Sequence, residues 1–244
     1  MKPPTLIRYL KLPYTYQVEK LVAEVASIQA EWIAHFNTYD YSGDWKALPL
    51  RSIGGKMDQI MAESAFDFAD TPLMELCPYM KEIITTLPGN KLSARLLKLS
   101  KGAIIKEHRD RELAFEKGEV RLHVPIITHP DVEFWLDQER IYMQPGECWY
   151  INANLLHRVS NLSEVDRIHL VIDIEVTDEV KNVFSAVPET DKSVKEAEDK
   201  KEETIKMVSE LLLNSDPRIQ ELGRKIAVEN ELYNLLDDNE ITIA

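Results

Sequence analysis

The residues of this chain whose types and spacing could do chemistry are His108 and Asp110, two apart, and His157, far downstream. On an extended strand, residues two apart project from one face, so His108 and Asp110 can reach a single metal ion if the chain stays extended there. With His157 from a later strand they make a two-histidine, one-carboxylate set. Such a set holds iron(II) on one face of an octahedron and leaves the other positions for an oxo acid and O2. A closed zinc site would leave no such room. Taken alone, an HxD triplet is more often an exposed turn and a lone histidine a surface residue, so the neighbouring residues decide.

Two strand-like runs supply those neighbours. Along 120–126, Val120, Leu122, Val124 and Ile126 share one face, which places Arg121 and His123 together on the other. Along 167–174, Ile168, Leu170, Ile172 and Ile174 share a face, opposite Arg167, His169 and Asp173. If the apolar face is core, the polar face lines a cavity or meets water. A strand-borne arginine inside a barrel needs an anionic partner, because an unpaired buried charge is costly. An internal ion pair with Asp173 or Glu147 would serve. A dicarboxylic co-substrate gripped by the guanidinium fork would serve equally, and its convergence with the histidines in one cavity favours it.

The stretch 104–176 resembles the aspartyl/asparaginyl β-hydroxylase family of 2-oxoglutarate oxygenases, which includes bacterial cis-proline hydroxylases. The residues that carry the resemblance are His108, the RxH strand Arg121-Leu122-His123, His157, and Arg167 ten positions beyond it. The resemblance implies a double-stranded β-helix fold, jelly-roll or cupin-like, with Fe(II) on His108, Asp110 and His157 and with O2 and 2-oxoglutarate as co-substrates. It also implies Arg167 on the far carboxylate of 2-oxoglutarate, with Arg121 and His123 near its metal-chelating end. The vertebrate peptide hydroxylases of the family have glycine where Asp110 stands, so the carboxylate makes this chain look more like the bacterial amino-acid hydroxylases. Trp45 and the run Leu48-Pro49-Leu50-Arg51-Ser52 resemble the family's N-terminal section, and the likeness spans about 39–176.

Two other motifs fail. His108-Arg109-Asp110 imitates the kinase HRD loop, but Phe115 stands where that loop needs asparagine, and no glycine-rich phosphate loop precedes it. The turn Gln144-Pro145-Gly146-Glu147 with His157 resembles a cupin turn, which keeps a cupin isomerase or a metal-binding barrel without oxygenase activity as the alternative. Against it, a typical cupin cluster places two histidines and a glutamate early, whereas an aspartate follows one histidine here.

These residues must be positioned by a fold of class α+β. Val18, Leu21, Val22, Val25, Ile28, Trp32 and Ile33 recur at helical spacing and predict an amphipathic helix over 17–36. A strand bounded by loops follows within 39–55. A second helix is expected over 71–87, with Thr71-Pro72 at its start and Pro78 kinking or restarting it. From Leu92 to Val176 short strands alternate with turns, at 92–99, 103–107, 120–127, 132–136, 144–151 and 167–174, as in a jelly-roll core. The polar run 189–203 predicts a solvated linker or the polar start of a helix, and two amphipathic helices over 202–213 and 217–236 form a C-terminal helical appendage. The expected division is therefore an oxygenase domain over 1–188 and an acidic linker with helical appendage over 189–244. The appendage could dock on the barrel, bind a partner or form a homodimer.

Charge narrows the partners. The net −13 argues against a nucleic-acid surface, which needs a basic patch; 17 acids against 9 bases from Asp178 onward account for −8 of it. Cys77 and Cys148 form no CxxC pair and too small a set for a disulfide framework, and no apolar leader or membrane-length run is evident. The expectation is a soluble cytoplasmic enzyme acting on a free amino acid or its derivative, with a peptide side chain second and no membrane. Trp45, Arg51, Arg95 and Arg109 are candidate substrate contacts.

Overall fold

The computed structural model describes residues 5–36, 38–60, 67–110, 113–196, 200–229, 232 and 235–236. The elements run β1 (Thr5–Thr15), α1 (Val18–Ser27), β2 (Ile33–Ala34), β3 (Tyr41–Ser42), β4 (Trp45–Ile53) and β5 (Phe68–Asp70). A 3-10 turn at Pro72–Leu76 leads to α2 (Pro78–Thr86), β6 (Asn90–Leu99), β7 (Ile104–His108), β8 (Glu119–Ile127), β9 (Val132–Leu136) and β10 (Glu139–Ile141). Then come β11 (Glu147–Ile151), β12 (His157–Asn161), β13 (Arg167–Glu175), α3 (Asp178–Ala186), β14 (Lys192–Glu196), α4 (Lys200–Leu212) and α5 (Pro217–Glu229).

The strands form two sheets. The larger runs β14-β1-β11-β8-β13-β6-β4-β2, with β5 on β4, and the smaller runs β10-β9-β12-β7-β3. From β6 to β13 the chain crosses between sheets at every connection but one. The exception is the β9–β10 hairpin, whose two-residue turn Asp137-Gln138 has φ of 45° and 68°, the left-handed pair that suits strand twist. Four strands, β11-β8-β13-β6, thus belong to one sheet and β10-β9-β12-β7 to the other. This winding is the double-stranded β-helix.

Alternation along the strands divides the chemistry. Leu96, Val120, Leu122, Val124, Ile126, Ile168, Leu170 and Ile172 join the main apolar core, together with Leu21 of α1, Met80 and Ile83 of α2, and Val180 and Phe184 of α3. The core therefore lies on the helix-covered face of the larger sheet. The opposite face of the same strands carries Arg95, Arg121, His123 and Arg167. Burying about a dozen Leu, Ile and Val side chains on one face, each worth roughly 1.5–3 kcal/mol, sustains a polar interior on the other.

The chain departs from its periodicity in several places. The predicted helix over 17–36 stops at Ser27. Ile33 pairs instead with Ala47 as a strand, and the Trp32 ring lies under the Lys98 ammonium at 4.6 Å. Pro78 restarts the second helix after a 3-10 turn. The charged run after Glu189 is not a plain linker. Its residues 192–196 are a strand beside β1, and Ser193 accepts a hydrogen bond from Arg8 Nη1 at 2.8 Å.

Two compact units result, Ile7–Val194 and Lys195–Ala244 with Met1–Leu6. In the second, Val208 of α4 and Ala227 of α5 share a small core with Leu232 and Leu236, which follow α5. Gly223 permits their approach, since a Cβ there would lie 2.9 Å from Leu211 Cβ. Among the described residues no helix is long and apolar enough to cross a membrane.

Candidate active site

β7 ends at His108, and β12 pairs with it so that His157 stands directly opposite. The two rings lie 4.3 Å apart, tilted by 49°. Asp110 follows past the strand end, fixed by its backbone N–H to the Ala153 carbonyl at 2.8 Å. One ligand atom from each of His108, Asp110 and His157 lies within 4.8 Å of the others. Each imidazole has Nδ1 on a backbone carbonyl, His108 on Lys106 at 2.8 Å and His157 on Leu155 at 2.9 Å. A carbonyl only accepts, so each Nδ1 carries a proton and Nε2 is the nitrogen left to meet a metal. Burial, followed by the neighbouring His108, pushes His157 down to about 4. Burial works against ionisation of Asp110, but Arg121 and then the two histidines outweigh it and lower its pKa.

Three arginines face the interior in different states. Arg121 clasps Asp173 through Nε at 2.7 Å and Nη2 at 3.1 Å, while its Nη1 donates to Asp110 Oδ2. Arg95 donates through Nη1 to Asp173 Oδ2 at 3.0 Å and to Ser93 Oγ. Burial resists ionisation of Asp173, yet these two guanidiniums hold it well below the usual carboxylate range. Arg167 has no carboxylate partner among the described residues. Its Nη2 donates to His169 Nδ1 at 2.9 Å and its Nε is buried without a partner. Burial alone lowers its pKa to about 9, still cationic at neutral pH.

The internal ion pairs open to Arg167 are thus not made. Asp173, six residues along the same strand and about 20 Å away at strand rise, serves Arg121 and Arg95. Glu147 takes Lys11 Nζ and Trp149 Nε1.

The triad, Arg95, Arg121, His123 and Arg167 line one cavity of about 290 Å3. Its wall includes Trp45, on which the His35 ring stacks at 3.5 Å and 13°, and Phe134, parallel to His157 at 6.1 Å. Trp45 Nε1 and His123 Nδ1, like Arg167 Nε, are buried without hydrogen-bond partners. Of the proposed substrate contacts, Trp45 and Arg95 reach this cavity and two do not. Arg51 is turned to Asp70 at 2.9 Å and to the Phe68 and Lys91 carbonyls, and Arg109 is exposed. Arg121, expected near the metal-chelating end of the co-substrate, lines the cavity and pairs with two protein carboxylates. His35 and Phe36 also line the cavity. Sequence reasoning missed them because they fall in the segment read as helix. The one available signal was scarcity: of six histidines in the chain, four line this cavity.

Residues 16–177 match the profile of a family described as aspartyl/asparaginyl beta-hydroxylase. Among curated proteins, the chain is 30% identical over 157 residues to L-proline cis-3-hydroxylase 2 of Streptomyces sp, covering 62% of this chain and 52% of that protein. It is 30% identical over 141 residues to L-proline cis-4-hydroxylase of Rhizobium meliloti (strain 1021), covering 55% and 49%. The chain therefore spans about half the length of the curated relatives it matches. Among solved structures, it is similar to the non-heme alpha ketoglutarate dependent epimerase SnoN from nogalamycin biosynthesis, at 10% identity and a TM-score of 0.47, covering 68% of this chain and 77% of that one.

Proposed function

Because the chain belongs to the aspartyl/asparaginyl β-hydroxylase family, we propose that it is an Fe(II)- and 2-oxoglutarate-dependent dioxygenase that hydroxylates an aliphatic C–H bond of an amino acid or amino-acid derivative. The observation that carries this reading is Arg167, a buried guanidinium that lines the cavity of the His108–Asp110–His157 cluster and has no carboxylate partner among the described residues. The fold leaves it needing an anion.

The donor set fits the metal. Two neutral imidazoles with Nε2 turned from their backbone anchors, and one carboxylate, would hold Fe(II) on one face. Arg167 would hold the remote carboxylate of 2-oxoglutarate, with His123 Nδ1 a further polar contact in the same cavity. When bound, Fe(II) supplies the redox chemistry that couples O2 and decarboxylation of 2-oxoglutarate, giving succinate and CO2, to hydroxylation of the substrate. The chain's own residues bind and orient. His108 is fixed by a carbonyl of its own strand and His157 by one in the turn before its strand, Arg167 sets the co-substrate's direction, and the apolar wall excludes water.

For the substrate, Trp45 Nε1 and the Arg95 guanidinium are polar groups of the wall not assigned to metal or co-substrate. Arg95 keeps one nitrogen on Asp173 and would turn its remaining donors to a substrate carboxylate. The cavity's size, near the small end of the roughly 300–1,000 Å3 usual for ligands, supports a small molecule, as do the relatives named for L-proline. The test is to load the protein anaerobically with Fe(II) and 2-oxoglutarate, admit O2 with an amino-acid panel, and read succinate and a product heavier by one oxygen. No succinate above the substrate-free blank across the panel and its peptide derivatives would contradict the proposal.

A further inference from the structure

We propose that Arg121 is the positioning residue of the ligand carboxylate Asp110, holding it to a single coordinating oxygen, and that Asp173 is the anchor from which Arg121 works. This rests on the metal reading above.

The two carboxylates are built differently. Asp173 lies within β13, fully buried, in direct register with Arg121 of β8. It is further held by Ser93 Oγ at 2.8 Å and Arg95 Nη1 at 3.0 Å. Asp110 stands beyond the end of β7, half-buried, its N–H on the Ala153 carbonyl and its own carbonyl accepting from the Leu113 N–H. Arg121 joins them. Its Nε and Nη2 form a two-bond fork on the two oxygens of Asp173, at 2.7 and 3.1 Å, and this leaves Nη1 for Asp110 Oδ2. A rigid planar fork fixed on a sheet-borne carboxylate aims its third nitrogen along one direction. The carboxylate beyond the strand end is thereby placed by the one within the sheet.

A consequence for the metal follows. With Oδ2 occupied by Arg121, the oxygen turned to the histidines is Oδ1, 3.8 Å from His108 Nε2. Asp110 then offers one oxygen, and a position that two-oxygen chelation would fill stays open for co-substrate and O2. The same commitment withdraws Arg121 from the co-substrate, leaving Arg167 as the cavity arginine with no carboxylate of its own among the described residues.

The test uses the full chain with Co(II) as a spectroscopic stand-in for Fe(II), reading metal affinity, the visible Co(II) spectrum and 2-oxoglutarate affinity at saturating Co(II). Arg121→Gln should weaken Co(II) about 10- to 100-fold, as loss of a partner that orients a ligand typically does, and alter the spectrum, with 2-oxoglutarate affinity little changed. Arg121→Lys keeps the charge without the fork and should fall between. Asp173 keeps Arg95 as its counter-charge in Arg121→Gln, so the fold should hold, and circular dichroism checks it before metal is added. Wild-type Co(II) affinity and spectrum in folded Arg121→Gln would overturn the proposal. So would loss of 2-oxoglutarate affinity with metal affinity kept, which would return Arg121 to the co-substrate. His157→Ala separates the layers. If it loses Co(II) while the Arg121 variants do not, only the positioning role fails; if it binds Co(II) like the wild type, the metal reading fails and takes this inference with it.

Discussion

Arg167 donates from Nη2 to Nδ1 of His169 at 2.9 Å, so a buried cation rests on a neutral imidazole where a carboxylate would be expected. Burial, followed by Arg167 itself, holds His169 far below its ordinary pKa and so keeps it an acceptor. Arg121 and Arg95, on the two strands that flank β13, share Asp173, which shows that this interior can pair its cations. An unpaired buried ion costs several kcal/mol, and the sheet bears that cost at one position that opens on the cavity.

His108→Ala and His157→Ala should each abolish Fe(II) or Co(II) binding, measured by calorimetry, while circular dichroism stays native. Both rings sit at the cavity, outside the main apolar core. Asp110→Ala should bind metal more weakly than wild type but better than either histidine variant. Metal affinity retained in both histidine variants would eliminate the site.

Stability of the metal-free protein should fall as pH drops from about 6.5 toward 4. Burial lowers His157 to about 4 and, with Arg167, drives His123 and His169 well below their ordinary value. The unfolded chain takes up these protons near pH 6.5 and the folded chain does not, so stability is complete above that pH and is lost below it. Urea midpoints at pH 7.5, 6 and 5 check this, and His169→Gln should show a shallower decline. A flat wild-type profile would mean that the histidines are not buried as described.

What could be read from the sequence was what strand alternation encodes. Ile168, Leu170, Ile172 and Ile174 separate from Arg167, His169 and Asp173 by period alone, and the structure sends the first set to the core and the second inward. Partner choice was not legible. Asp173 and Arg167 share a face, but only cross-strand register shows that Asp173 meets Arg121. β1 and β14 were missed for another reason. Pro13 and mixed polarity mask the first, and Lys192-Ser193-Val194-Lys195-Glu196 has no apolar alternation because an edge strand is held by backbone pairing. The helix expected through Phe36 failed where Ile33 gained more from sheet pairing than from another helical turn.

Gly146→Ala should cost about 1–3 kcal/mol, read from the urea midpoint at unchanged slope. Gly146 has φ +79°, and a Cβ there would lie 2.6 Å from the Tyr16 carbonyl oxygen and 2.9 Å from Val18 Cγ2. The Tyr16 N–H bonds to the Gly146 carbonyl at 2.8 Å, so backbone blocks any relief. An unchanged midpoint would contradict the left-handed turn.

A chain ending after Val194 should bind metal and 2-oxoglutarate as the full chain does, because every proposed ligand lies within the unit Ile7–Val194. Ending after Pro188 instead should lower the melting temperature, since it removes the β14 strand and the Ser193 contact to Arg8. If the chain ending after Val194 folds but binds no 2-oxoglutarate, the C-terminal helices help to build the site.

The central claim is that Arg167 awaits the far carboxylate of 2-oxoglutarate, and calorimetric titration of 2-oxoglutarate into the metal-loaded wild type and Arg167→Ala tests it most directly. Truncating one partner of a desolvated charge pair costs about 2–5 kcal/mol, so the affinity should fall roughly 30-fold to several thousand-fold. Arg167→Lys, which keeps the charge but not the fork, should fall between, and metal affinity should change little in both. An unchanged 2-oxoglutarate affinity in Arg167→Ala would contradict the account and leave a metal-binding barrel without oxygenase activity as the better description.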